Sequence, residues 1–212
     1  MSELIPIFPL AVVVYPGDEL NLHIFEPRYK ELINDTAKTK APFGIPTVLA
    51  RKIGECGTLV ALTEIAKVEA DGQMDIRTKG LRVFRVRRLQ KTYPGKLYSA
   101  AAVEYPEGKA AGDPQVMRAV LSGIMKLHAL LNVTKKFSKP ESQLTSFDVA
   151  HQSGLSLKQE YELLGLNDER ERQKYLQRHL EQVLPVVAEM ESLKEKIKLN
   201  GHFKTITGLE AG

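Results

Sequence analysis

The 212-residue sequence predicts an α+β protein: an N-terminal antiparallel β-barrel with a short helix, followed by a C-terminal α-helical bundle with one long helix. Three observations predict it. Residues 57 to 105 read as a run of extended segments, with Asp71-Gly72 between two of them as the dipeptide of a two-residue primed hairpin turn. Gly57 and Gly80 punctuate that run, where a small barrel needs a bulge, a sharp bend or a close backbone approach. After residue 114 the apolar residues recur at steps of three and four, the period of helices with one buried face. Three segments follow from this pattern: a β-barrel over 1–105, a helical bundle over 114–200 and a tail over 201–212.

Within the first segment, Pro6 and Pro9 confine the opening to an edge or irregular strand, while Val12, Val13 and Val14 suit a buried one. Pro16-Gly17 joins a fixed φ to a permissive one and predicts a type II turn continued by Asp18. Leu20, Leu22 and Ile24 then alternate with Asn21 and His23, the period of a half-buried strand. Pro27 sits where a helix begins without needing its missing N–H, and Tyr29, Leu32, Ile33 and Ala37 supply one apolar stripe. Residues 42–50 resume extended structure, and GECG at 54–57 reads as a loop. The last strand runs to Tyr105.

Residues 106–114 have the composition of a linker. A helix over 114–133 follows, with Val116, Val120, Ile124, Leu127 and Leu131 on one face and Gly123 allowing a close helix approach. A polar loop over 134–144 and a short helix at 146–152 come next. Ser156 with Gln159 forms a capping-box pattern, and Gly165 a stop. Asn167-Asp168-Glu169 opens the long helix, which Pro185 should kink and Asn200-Gly201 should end.

Composition narrows the function. A single cysteine, Cys56, permits no internal disulfide, and the N-terminus lacks the charged and apolar regions of a secretory signal, so a cytoplasmic location is expected. No stretch is apolar for the roughly 18–20 residues a spanning helix needs, so no membrane is expected. The net charge of +4 and pI near 9.0 are mildly basic. Arg82, Arg85, Arg87 and Arg88 form the one dense basic cluster, but strand alternation splits them between two faces, against a nucleic-acid stripe. The five histidines have no metal-ligand spacing, so neither a metal nor a cofactor is expected. His128 and His179 share the helical half, where solvated positions are the ordinary reading. Cys56 has no histidine fixed beside it and reads as a bystander.

Taken together, IFPLAVVVYPGDELNLHIFEPRYKELI, GTLVALTEIAKVEADGQMDIRTKGLRVFRV, the YSAAAVEY strand and GLSLKQEYELLGLNDERERQKYLQRHLEQVL resemble the N-terminal substrate-binding domain of Lon proteases. The resemblance runs from about Leu4 to about Ile197 and includes an Asp-x-x-x-Arg segment, here Asp168 and Arg172. It implies a PUA-like barrel followed by a helical bundle. The sequence contains no GxxxxGK[ST] phosphate-binding loop and has no length for a Ser-Lys protease domain, so a stand-alone version of that domain is implied. Cereblon shares this N-terminal fold and adds a zinc site, which one cysteine cannot make.

The expected function is a non-enzymatic, proteolysis-related module that binds unfolded or exposed polypeptide segments, or a partner protein. Such a site needs exposed apolar and aromatic groups with a few polar anchors. Phe25, Arg28 and Tyr29, at the strand-to-helix junction, are the first candidates, with Phe8 and Tyr15 next; for each, packing within the fold is the competing reading. RNA binding is the alternative, by analogy with PUA domains, and an unrecognised hydrolase with a polar pocket is a third.

Overall fold

The computed structural model describes residues 2–135, 137 and 139–207, those from 199 onward by backbone alone. Two compact units emerge: Met1–Ala111 with Gly154–Glu169, and Gly112–Ser153 with Arg170–Gly212.

The first unit is built on a six-stranded mixed sheet. Its strands are β1 (Glu3–Ile7), β2 (Glu19–Ile24), β3 (Phe43–Leu49), β4 (Lys52–Val68), β5 (Met74–Gln90) and β6 (Ser99–Glu104), in the order β2-β5-β4-β3-β1-β6. A further β5–β6 pairing returns the ladder from its last strand to β5. One edge of β5 runs along β4. The other serves β2 through residues 74–79 and β6 through residues 85–90. The sheet is not wholly antiparallel as expected, because β1 and β3 run parallel at Ile7 and Gly44. The 35 residues between them, with helix α1 (Pro27–Thr39), supply the crossover that parallel neighbours require.

Glycine makes the strand crossings possible. A Cβ on Gly80 would lie 2.2 Å from the carbonyl oxygen of Tyr15, where Gly80 exchanges backbone bonds with Gly17 and Asp18 (2.9 and 2.8 Å). One residue on, Leu81 is the extra residue of a bulge, since Gly80 pairs with Val60 and Arg82 with Leu59. The Tyr15–Asp18 turn is closed by Asp18 N–H donating to Tyr15 O (3.1 Å), with Gly17 at φ +95 as a type II turn requires.

Four expectations in this unit are corrected. GECG is not a loop but part of β4. Its glycines admit close neighbours, the Tyr161 ring 2.7–2.8 Å from a Cβ on Gly54 and Ile45 O 2.5 Å from one on Gly57. Val12–Tyr15 is not a strand: Tyr15 N–H donates to the Asp18 carboxylate, and Val14 O accepts from the Thr58 hydroxyl. The β4–β5 connection is no two-residue primed turn. Gly72 N–H donates to Glu69 O (2.9 Å), Glu69 N–H to Gln73 O (2.7 Å), and only Gly72 has positive φ, which is a three-residue loop with a glycine bulge. The 106–113 segment is not free, because Lys109 N–H donates to the Asp168 carboxylate (2.6 Å) and Glu169 N–H to Lys109 O (2.9 Å).

The alternation of β2 is as read, with Ile24 buried and Glu19, Asn21 and His23 exposed. α1 begins at Pro27 and buries Thr36 together with Tyr29, Leu32 and Ile33, the last three in one cluster with Phe8, Phe43, Ile45 and Met74. α4 (Leu157–Leu164) opens with the predicted capping box of Ser156 and Gln159. It belongs to this unit, held by Tyr15 Oη donating to Glu160 O (3.1 Å) and Cys56 N–H donating to Tyr161 Oη (3.1 Å).

The second unit contains α2 (Pro114–Leu130), a 3-10 turn at Glu141–Gln143, α3 (Ser146–Ala150) and most of α5 (Glu169–Thr207). Asp113 caps α2 through Gln115 N–H and Val116 N–H (2.8 and 3.4 Å). Gly123 admits Leu180 of α5, whose Cδ1 lies 3.0 Å from where a Cβ would stand, so the close approach predicted there occurs. His128 and His179 are not simply solvated. Each donates through Nε2 to a neighbouring carbonyl, Gln152 O and Ser153 O, at 3.1 Å. α5 passes through Asn200-Gly201 rather than ending there; part of the tail expected over 201–212 falls outside the described residues. Among the described residues no helix is long and apolar enough to cross a membrane.

Candidate functional site

The strand-to-helix junction lies at one end of the first unit. Ile24 and Val68 both pair with Met74, so the ends of β2 and β4 flank the start of β5. Phe25 follows Ile24 and is 60% exposed; Val68 is 62% exposed two strands away. Lys30 of α1 donates to Asp71 O at 2.9 Å, tying the helix to the β4–β5 loop. Val68 is thus held at the surface by paired backbone, and Phe25 directly follows the paired end of β2.

The candidates divide by burial. Phe25 is exposed and its ring stacks loosely on His23, with centroids 6.2 Å apart. Arg28 is exposed, bonds Glu26 through Nε and Nη2 (2.8 and 2.7 Å), and lies 4.5 Å over the Tyr29 ring. Tyr29 is buried and stacks on buried Phe8 at 3.9 Å. Arg28, Tyr29 and Phe8 therefore form one column from surface to core. Tyr15 is fully buried, apart from this column, with its hydroxyl on Glu160 O. Of the five, Phe25 and Arg28 present surface to a partner.

The rim has mixed charge. His23 bonds Asp75 through Nδ1 and Gln73 through Nε2, both at 2.8 Å, and the Asp75 carboxylate, with Gln73 second, raises its pKa. Two acceptors on one imidazole favour the doubly protonated ring. Burial pushes the Tyr29 phenol up, against the opposing pull of Arg28. One turn along α1 from Arg28, Glu31 accepts from Leu97 N–H (2.8 Å), which ties the segment carrying a 62% exposed leucine to the helix. The sequence reading missed Val68 and Leu97. Val68 ends a strand whose register shifts between Leu62 and Glu64 and again between Ile65 and Lys67, which simple alternation does not show, while Leu97, in a turn, carries no pattern.

The arginine cluster is largely engaged. Arg85 donates to Gly165 O (3.0 Å) and Asn167 (3.3 Å), Arg87 pairs with Glu104, and Arg82 lies 3.4 Å over the Tyr105 ring. Cys56 is buried in β4. Burial raises its pKa, opposed by Arg85 and Tyr161, so the thiol stays protonated at neutral pH. Among the described residues no three histidine, cysteine or carboxylate side chains are grouped to hold a metal ion.

These features define an α+β domain that presents exposed apolar and aromatic groups at a strand-to-helix junction. The chain belongs to the ATP-dependent protease La (LON) substrate-binding domain family, whose model matches residues 4–182. It is similar to the crystal structure of a Lon N-terminal domain protein from Xanthomonas campestris, at 26% identity and TM-score 0.65, over 82% of this chain and 96% of that one. The N-terminal domain of Mycobacterium avium complex Lon protease is similar in fold, at 14% identity and TM-score 0.60, over 84% of this chain and 98% of that one. Compared with curated protein sequences, the chain gives no match.

Proposed function

We propose that this chain is a non-enzymatic module that binds unfolded or exposed polypeptide segments through the junction of β2 and α1, and that it serves proteolysis in the cytoplasm. The observation that carries the proposal is Phe25, a large aromatic side chain 60% exposed directly after the paired end of β2, at the same end of the sheet as exposed Val68 two strands away. Rigid exposed aromatics bind with little loss of side-chain entropy, and a charged rim orients the segment. Phe25, Val68 and Arg28 make the contacts. Tyr29 and Phe8 hold Arg28 from below, and Tyr15 keeps the first unit in shape. We read the ladder that returns from β6 to β5 as a PUA-like barrel, which makes its end a firm platform.

The paired arginines favour polypeptide over RNA as the partner, since Arg85 spends a donor on the part-buried Gly165 carbonyl and the exposed Arg87 is neutralised by Glu104. Purified protein is tested by pull-down of polypeptides from lysate with and without nuclease, beside the variant Phe25→Ala/Arg28→Ala. Nuclease-resistant recovery that the variant loses while keeping its circular dichroism is the expected result. Recovery abolished by nuclease overturns the reading in favour of RNA.

A further inference from the structure

α5 has two apolar faces. Leu176 and Leu180 are buried, and Val183, Leu184 and Val187 continue that side half-buried. Roughly 100° round the helix, at about 100° per residue, runs a second stripe of Val186, Met190, Leu193 and Ile197. All four are more than half exposed. Their spacing of four, three and four is the seam of a heptad repeat, with Val186 and Leu193 at d and Met190 and Ile197 at a. A face that merely tolerates exposure has no reason to hold this register, since Ser192, Glu195 and Lys198 mark the polar side of the same turns.

The residues beside the seam say what covers it. Glu189 falls at g and Lys194 at e. In a parallel two-stranded coil, a g residue faces the e residue of the next heptad on the other helix. Glu189 then meets Lys194 of a second copy, and twofold symmetry repeats the pair. Lys194 also bridges Glu191 in its own helix at 2.6 Å, a surface pair of the kind that gives way easily. We propose that this stripe is a self-association surface, pairing with the same stripe of a second copy of this chain as a short parallel coiled coil.

The seam is shorter than two full heptads, so association is weak and depends on concentration. Sedimentation equilibrium of the full chain, from micromolar to millimolar, is expected to show a reversible monomer–dimer equilibrium. Met190→Glu/Leu193→Glu is expected to stay monomeric with unchanged circular dichroism, because both positions are already solvent-facing. Glu189→Lys and Lys194→Glu are each expected to raise the dissociation constant on the order of tenfold, and the two together to bring it back near the starting value. A monomer at every concentration overturns the proposal, as does a dimer indifferent to Met190→Glu/Leu193→Glu. A charge-swapped double variant no better than the single ones overturns the parallel register.

Discussion

Gly80→Ala tests how the first unit is assembled. The added methyl would stand 2.2 Å from Tyr15 O and 3.1 Å from the Tyr15 carbonyl carbon. Both are backbone atoms, so no side chain can rotate away. With carbon–oxygen contacts normally no closer than ~3 Å, one strand must retreat by about 0.8 Å in a close-packed interior. That movement strains the bonds Gly80 exchanges with Gly17 and Asp18. Overpacking costs about 1–3 kcal/mol and each weakened hydrogen bond about 0.5–1.5 kcal/mol. The reduced freedom of the unfolded chain offsets about 0.4–1 kcal/mol. The net expectation is a loss of about 2–4 kcal/mol. Urea unfolding followed by circular dichroism measures it against Gly95→Ala, a site with φ +71 and no atom within 4 Å of the added carbon. Gly95→Ala should cost only the strain of positive φ, about 1 kcal/mol. Gly80→Ala as stable as Gly95→Ala would refute the steric account.

Other outcomes follow from single contacts. Tyr15→Phe removes the hydroxyl on Glu160 O and is expected to lose about 1 kcal/mol in the same urea assay. Ser156→Ala breaks the capping box of α4, for about 1 kcal/mol again and faster amide exchange over the first turn of that helix. Burial raises the pKa of Asp148, but Lys139 and the Thr145 cap outweigh it and leave the carboxyl below the ordinary value of 3.8. A depressed folded pKa gives stability present above 3.8 and lost as pH falls through the folded value. Asp148→Asn should therefore be less stable than the parent at pH 7, with the difference closing below pH 3.8. Cys56 should resist a thiol reagent at pH 8 in the native protein and react freely in urea, because it is buried with its pKa raised.

Local chemistry carried most of the legible structure. Pro27 and Ser156 mark helix starts because each solves a problem of unpaired N–H groups within three residues. The alternation of β2 and the close approaches at Gly80 and Gly123 were legible for the same reason, since side-chain size and period act locally. What escaped depends on distant partners. Gly54 and Gly57 read as loop residues because the pattern cannot show the Tyr161 ring and the β3 backbone that require them. Val12–Tyr15 has the composition of a strand, yet its bonds go to Asp18 and Thr58. The parallel β1–β3 pairing is a property of topology that no turn signal encodes. At the candidate site, sequence placed Phe25, Arg28 and Tyr29 together but could not tell the exposed Phe25 from the buried Tyr29, since both flank the same helix start.

The central claim is that Phe25 and its neighbours bind polypeptide, and a fluorescence anisotropy titration with a labelled, permanently unfolded polypeptide tests it most directly. Surface truncation at Phe25 should leave stability within about 0.5 kcal/mol, so binding and folding separate cleanly. The account predicts saturable binding at neutral pH that Phe25→Ala weakens about tenfold, with the Met190→Glu/Leu193→Glu protein losing none of it at a monomer-favouring concentration. Binding of equal strength in Phe25→Ala, or none in the unmutated protein, would contradict it.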